Sequence, residues 1–213
     1  FYMSKFEVTV WEWKEYTKAT RTNMPKEQSW GWNNDFPITN VTWEQAVEFC
    51  NWLSQKQGYD KAYSKAGPRY VCNFESNGFR LPTEAEWEFA AHGGRKSKGY
   101  KYVGANDLEL VSWNVENSET RPHAYGSKYA NELGIFDMNG NVWEWCLDWY
   151  DKNFYHISPE LNPKGPLGKG TYKVLRGGSY LNSIDGVQVV RRSRNRPHIK
   201  NEIYGFRTVL PIQ

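Results

Sequence analysis

The chain has 213 residues and a mass of 24.9 kDa, enough to bury about 70% of the unfolded surface around one sizeable core or two small ones. A mean hydropathy of -0.80, with no apolar run near the ~18 residues of a membrane span, excludes transmembrane helices, and 11 Trp within 16% aromatic residues exclude wholesale disorder. The 27 basic and 24 acidic side chains leave a net charge of +3, which does not mark a dedicated nucleic-acid binder, although Lys and Arg outnumber acids between Lys173 and Arg207.

In chain order, a first helix is expected from Val10 to Thr20, opened by Thr9. A second follows Thr42 in the run WEQAVEFCNWLSQKQG. Gln45 stands three residues after Thr42, the capping-box spacing, and Ala46, Phe49, Cys50 and Leu53 share one face. Gly58 ends it. Arg69 to Phe74 alternates as a strand. Thr83 and Glu86 repeat the capping box before a third helix, stopped by Gly93-Gly94. Strands are then expected at Val142 to Trp149, Lys173 to Tyr180, Val187 to Arg192 and Tyr204 to Leu210. Helices first and strands later, without βαβ alternation or an internal repeat, predict a single α+β domain over residues 1–213 with a mainly antiparallel sheet.

Cys50, Cys72 and Cys146 allow at most one disulfide and form no CxxC. The chain begins at Phe1 with neither Met nor signal peptide, so a processed or trimmed piece is expected. No phosphate loop, GxSxG, HExxH or dinucleotide fingerprint occurs. His92, His123, His156 and His198 lie at no metal-ligand spacing and read as surface or packing residues. The stretch GIFDMNGNVWEW is more specific. Asp137 and Glu144 bracket the turn Asn139-Gly140-Asn141, so two carboxylates and inward carbonyls offer hard oxygen donors to Ca²⁺. The alternative is a turn whose acids cap loops or pair with arginines.

The runs PITNVTWEQAVEFCNWLS, GFRLPTEAEWEFAA, NELGIFDMNGNVWEW, VLRGGSY and YGFRTVL occur in that order, and together they resemble the sulfatase-modifying-factor, or formylglycine-generating-enzyme, family from Glu7 to Leu210. The resemblance implies a loop-rich C-type lectin fold. Glu7-Val8-Thr9 lies almost at the start, where family members carry a preceding strand, so the front edge is expected to be missing. By position, the family's Ca²⁺ site implies side chains from Asp137 and Glu144 and carbonyls from Gly140 and Val142. A second family Ca²⁺ site, near Asn114-Val115, finds no counterpart acid. Cys50 matches a family cysteine whose disulfide partner falls at Thr208, which implies a buried free thiol. The enzymes' two catalytic cysteines follow RGGS, where this chain reads Tyr180-Leu-Asn-Ser-Ile-Asp-Gly-Val187. Without sulfur there, neither thiolate chemistry nor copper binding is expected.

The replacement run, YLNSIDGVQVVRRSRNRPHIKNEIY over residues 180–204, mixes Asn, Ser, Ile, Asp, His and Tyr, the residues reached when the adenines of an Asn codon change. That pattern resembles the variable proteins of diversity-generating retroelements, which display a diversified patch on this fold. The resemblance implies a ligand surface built from Tyr180, Leu181, Asn182, Ile184, Asp185, Ser193, Asn195, His198, Ile199, Asn201, Ile203 and Tyr204, with Val189, Arg192, Arg194 and Pro197 as scaffold. The expected function is non-enzymatic binding of a protein or surface glycan, with no nucleic acid. The alternatives are an enzyme with altered chemistry and a structural lipoprotein of a secretion or motility complex. Export to the cell surface is implied, with membrane anchoring only if a missing N-terminus is lipidated.

Overall fold

A computed structural model describes residues 1–166, 168 and 170–212. The elements are β1 (Tyr2–Met3), α1 (Val10–Thr20), α2 (Trp43–Lys56), β2 (Tyr63–Ala66), β3 (Arg69–Cys72), α3 (Glu84–Ala91), β4 (Ser112–Trp113), β5 (Asn139–Gly140), β6 (Trp143–Trp149), β7 (Lys173–Arg176), β8 (Arg192–Asn195), β9 (Tyr204–Gly205) and β10 (Val209–Leu210). All three helices open with a complete capping box: Thr9 with Glu12, Thr42 with Gln45, and Thr83 with Glu86. In each, the threonine hydroxyl accepts the third backbone N–H while the Glu or Gln side chain accepts the cap's own N–H, so two orphan donors are satisfied together.

The central sheet has the order β8-β7-β6-β9. β7 pairs antiparallel with β6 and β8, while β9 runs parallel to β6. Two-stranded pairs complete the frame: β1 with β10, the hairpin β2 with β3, and the parallel pair β4 with β5. The arrangement is therefore α+β and loop-rich, with parallel pairs inside a mainly antiparallel scheme.

Four strand expectations change. The strand expected at Lys173 to Tyr180 ends at Arg176, because Gly177 and Gly178 turn at φ 96° and 81°. The strand expected at Val187 to Arg192 is replaced by a 3-10 turn, Ile184–Val187, and pairing begins only at Arg192. Tyr204 to Leu210 splits into β9 and β10, which belong to different sheets. Arg69 to Phe74 stops at Cys72 and pairs with a strand, Tyr63–Ala66, whose exposed side chains give no apolar alternation.

β6 is buried along all but its last residue, and its two acids, Glu144 and Asp148, are buried together with its aromatic and apolar side chains. Helix α2 is tied to it by two indoles. Trp43 Nε1 donates to the Cys146 carbonyl at 2.9 Å, and Trp145 Nε1 donates to the Val41 carbonyl at 3.2 Å. Trp13 of α1 stacks on Phe49 of α2 at 5.6 Å, and Phe206 meets both rings edge-on. Helix α3 is tied to the sheet by charge: Glu84 pairs with Arg192 at 2.6 Å and Glu88 with Arg176.

One buried cation is enclosed by aromatics. Lys173 Nζ lies 4.0 Å from the Trp43 ring centre and 3.8 Å from that of Trp149, and donates to the Leu147 carbonyl at 2.8 Å. Burial drives its ammonium down to about 7, against the pull of Asp148. A folded pKa below the unfolded one disfavours the charged form, so this residue's contribution to stability grows as pH rises from about 7 towards the ordinary lysine value. Urea melts at pH 7 and pH 9.5 should show the native protein gaining stability relative to Lys173→Met at the higher pH. An unchanged difference between the two proteins would contradict a depressed lysine.

Candidate functional site

The segment over residues 180–204 leaves the frame through a tight turn. A Cβ on Gly178 would stand 2.8 Å from the Gly186 carbonyl oxygen, so the 3-10 turn can settle there only against glycine. Asn182 Oδ1 accepts from Ser179 N at 2.9 Å and Ser179 Oγ at 2.8 Å, closing the loop on itself. Val115 N–H donates to the Asn182 carbonyl, and Ser118 Oγ to the Tyr180 carbonyl.

Tyr180 is not part of an exposed face. Its side chain is 0% exposed and lies edge-on to Trp30 at 5.7 Å. The residue lies one serine beyond the double-glycine turn, and its N–H donates to the Asn141 carbonyl beside β5, which directs the ring inward. Its hydroxyl finds no partner among the described residues, and burial raises its pKa, with Glu202 adding to the effect.

Beyond it the side chains emerge. Leu181 is 40% exposed, Ile184 38% and Ile199 37%, and Asp185, His198 and Asn201 are also exposed. The main chain beneath them is held. Arg191 Nε donates to the Asp185 carbonyl at 2.9 Å, Trp43 N–H to the Pro197 carbonyl, and Asn40 N–H to the Asn201 carbonyl. Asn201 also accepts from Ile203 N–H, so it shapes the return turn as well as facing solvent.

Between the two loops lies β8, whose alternation sorts the segment. Arg192 stacks over Tyr150 and Tyr155, each at 4.7 Å, and Arg194 over Tyr150 and Tyr172 at 4.5 and 5.6 Å. Ser193 and Asn195 take the opposite face of the pleat and are half-buried. Asn195 Nδ2 donates to the Tyr204 hydroxyl at 3.0 Å, and the Tyr204 ring rests on Trp145 at 5.3 Å. Ile203 packs against the main core. Ser193, Asn195, Ile203 and Tyr204 thus belong to the half-buried floor rather than the outer surface, while Val189, at 8% exposed, is inside as the scaffold reading expects.

The structure adds residues to this face from the loop after α1. Trp30 covers Tyr180, and Met24 and Trp32 pack beside the core. The sequence reading passed over this loop, although two tryptophans around a glycine in the polar run QSWGWNN are unusual enough to have marked it.

The expected calcium residues form a different arrangement. Asp137, at φ 61°, accepts from Gly126 N–H at 2.9 Å through Oδ2, while Oδ1 has no partner among the described residues. Burial pushes its carboxyl up to about 6. Glu144 is fully committed elsewhere: Arg207 Nε and Nη2 donate to its two oxygens at 2.6 and 2.7 Å, and Trp87 Nε1 donates at 2.8 Å. Glu7 is buried beside them, accepting from Asn141 Nδ2 at 2.7 Å, and burial together with Asp137 and Glu144 raises its pKa well above the ordinary value. In this arrangement a guanidinium already pairs with Glu144, while Asp137 Oδ1 stays unpaired among the described residues, so the expected set of Asp137, Gly140, Val142 and Glu144 keeps one buried carboxylate oxygen open to a cation. No group of three or more His, Cys, Asp or Glu suited to a metal forms among the described residues.

The sulfatase-modifying factor enzyme 1-like domain model matches residues 1–212. The chain belongs to that family. Within it, the solved structure of Treponema denticola variable protein 1 superposes with a TM-score of 0.79 at 30% identity, covering 97% of this chain and 82% of that one. The chaperone protein LppX of Paenibacillus barcinonensis is 30% identical, over 89% of this chain and 72% of its own length. The formylglycine-generating enzyme of Streptomyces coelicolor is 33% identical over 80% of this chain, which spans 51% of that enzyme. The chain is thus similar to a variable protein and to enzymes alike.

Arg207→Leu would leave Glu144 buried without its countercharge, a loss of about 3–5 kcal/mol. Thermal melts should show that loss as a markedly lower melting temperature than that of the native protein. An unchanged melting temperature for Arg207→Leu would contradict a buried pair that holds the frame together.

Proposed function

We propose that this domain is a non-enzymatic ligand-binding protein that displays a diversified surface, in the manner of diversity-generating retroelement variable proteins. The observation that carries the reading is the division of residues 180–204 into exposed side chains on a pinned main chain. Leu181, Ile184, Asp185, His198 and Ile199 face solvent, while hydrogen bonds from Val115, Trp43 and Asn40 hold the backbone under them. Loops of this kind carry function because their side chains contribute little to the core. Apolar Leu and Ile offer contact area and Asp and His adaptable hydrogen bonds, a division of labour also seen in paratopes. The likeness to a solved variable protein supports the same reading. The ligand is a protein or a surface glycan, and the setting is the exported face of the cell.

Enzymes of this family are the competing reading. It is weakened by the thiols. All three cysteines are free, and none lies between Arg176 and Gln213. Burial raises Cys50 and Cys146 far above the ordinary thiol value and Cys72 to about 11. The thiolate is the nucleophile and the copper ligand, and these sites disfavour it.

Replacing Leu181, Ile184, Asp185, His198 and Ile199 together should leave the melting temperature within a few degrees, each exposed change being worth at most about 0.5 kcal/mol. Tyr180→Ala, which empties a buried site, should cost about 3–5 kcal/mol. Equal damage from both variants would overturn the display reading. A Cys-x-Pro-x-Arg peptide incubated with the protein, copper and oxygen should gain no aldehyde; aldehyde above background would establish the enzymatic reading.

A further inference from the structure

A cavity of about 300 Å³ lies between the end of α1, the loop that follows it, the first turns of α2 and the return of the displayed segment. That volume is at the small end of ligand pockets, roughly 300–1,000 Å³, and suits a ligand of monosaccharide size. Its walls bring together Lys26 and Lys200, the amides of Asn23, Asn40 and Gln45, and one acid, Glu48.

The hydrogen-bonding state of these groups is uneven. Gln45 Oε1 already accepts from Thr42 N–H, so its remaining polar group is the NH₂ donor. Neither lysine forms an ion pair among the described residues. Glu48 takes a hydrogen bond from the Tyr70 hydroxyl on Oε1 and none on Oε2 among the described residues. Trp13 also contributes to the wall, and its buried indole N–H has no acceptor among the described residues. The cavity is therefore rich in donors, carries one net positive charge, and keeps one carboxylate oxygen in need of a donor.

We propose that this cavity binds a sugar acid, a polyhydroxylated carboxylate of about one ring. The carboxylate answers the two lysines. Hydroxyl groups, which donate and accept, answer the asparagine amides and the free oxygen of Glu48. A plain anion would leave Glu48 unanswered and repelled, and a neutral sugar would leave both lysines unpaired. The proposal rests on the ligand-display reading, because Lys200 belongs to the displayed segment, and it names an acidic glycan as the ligand class.

Calorimetric titration of the whole chain with glucuronate, glucose and acetate tests it. Glucuronate should bind saturably and at least roughly tenfold more tightly than glucose or acetate, with affinity falling as salt is raised. Lys26→Ala and Lys200→Ala should each weaken glucuronate roughly tenfold, the effect of a lost charge-assisted hydrogen bond. Both lysines are exposed, so melting temperatures should not move. Equal affinity for glucuronate and glucose, or indifference to both lysine changes, would overturn the proposal. Lys26 lies outside the displayed segment, so these results leave the surface-variant melts as a separate test of the display reading.

Discussion

The fold depends on one buried ion pair. Arg207 and Glu144 are both fully buried, and the guanidinium uses its fixed fork to meet both carboxylate oxygens. The remaining donors of Arg207 reach the carbonyls of Ser4, Lys5 and Phe136, while Trp87 of α3 completes Glu144. One side chain from the C-terminal stretch thereby gathers the first residues of the chain, the loop before β5, the central strand and a helix. Taking two charges out of water is costly, and the arrangement is stable only because nearly every donor and lone pair is answered. The two further acids nearby, Glu7 and Asp137, have raised pKa values because burial disfavours their charged forms, and the neighbouring carboxylates add to the effect.

With the core held in this way, the displayed segment is free of structural duty over much of its outer face. The double-glycine turn throws the chain out of β7, and β8 brings it back, anchored by arginines that stack on Tyr150, Tyr155 and Tyr172. Arg192 also reaches Glu84, so the same strand is locked to α3. The alternation of β8 separates arginines that support from smaller side chains that line the floor. Change on the outer loops then has little route into the core.

Much of the frame was legible in the sequence. The three helices announce themselves through threonine caps followed by Glu or Gln, which is local chemistry readable over four residues. The RGGS glycines and the tryptophan strand were equally local. The short strands were not legible: β1, β4, β5, β9 and β10 are two residues each, too short to carry a period, and they exist because distant segments meet. Tyr180 misled for the same reason. A tyrosine in a polar run reads as surface, and only Trp30, 150 positions earlier, makes it core. The partner of Glu144 was likewise beyond the reach of spacing, since Arg207 lies 63 residues away.

Hydrogen exchange resolved along the backbone tests the central claim, that two outer loops sit on a frame closed by the Arg207–Glu144 pair. Amides of β6, β7 and Phe206 to Thr208 should exchange only through global unfolding, whereas those of the outer loops at Leu181 to Asp185 and His198 to Lys200 should exchange through local opening, orders of magnitude faster. Protection in those loops equal to that of β6 would mean that the segment is part of the cooperative core, and would contradict the account.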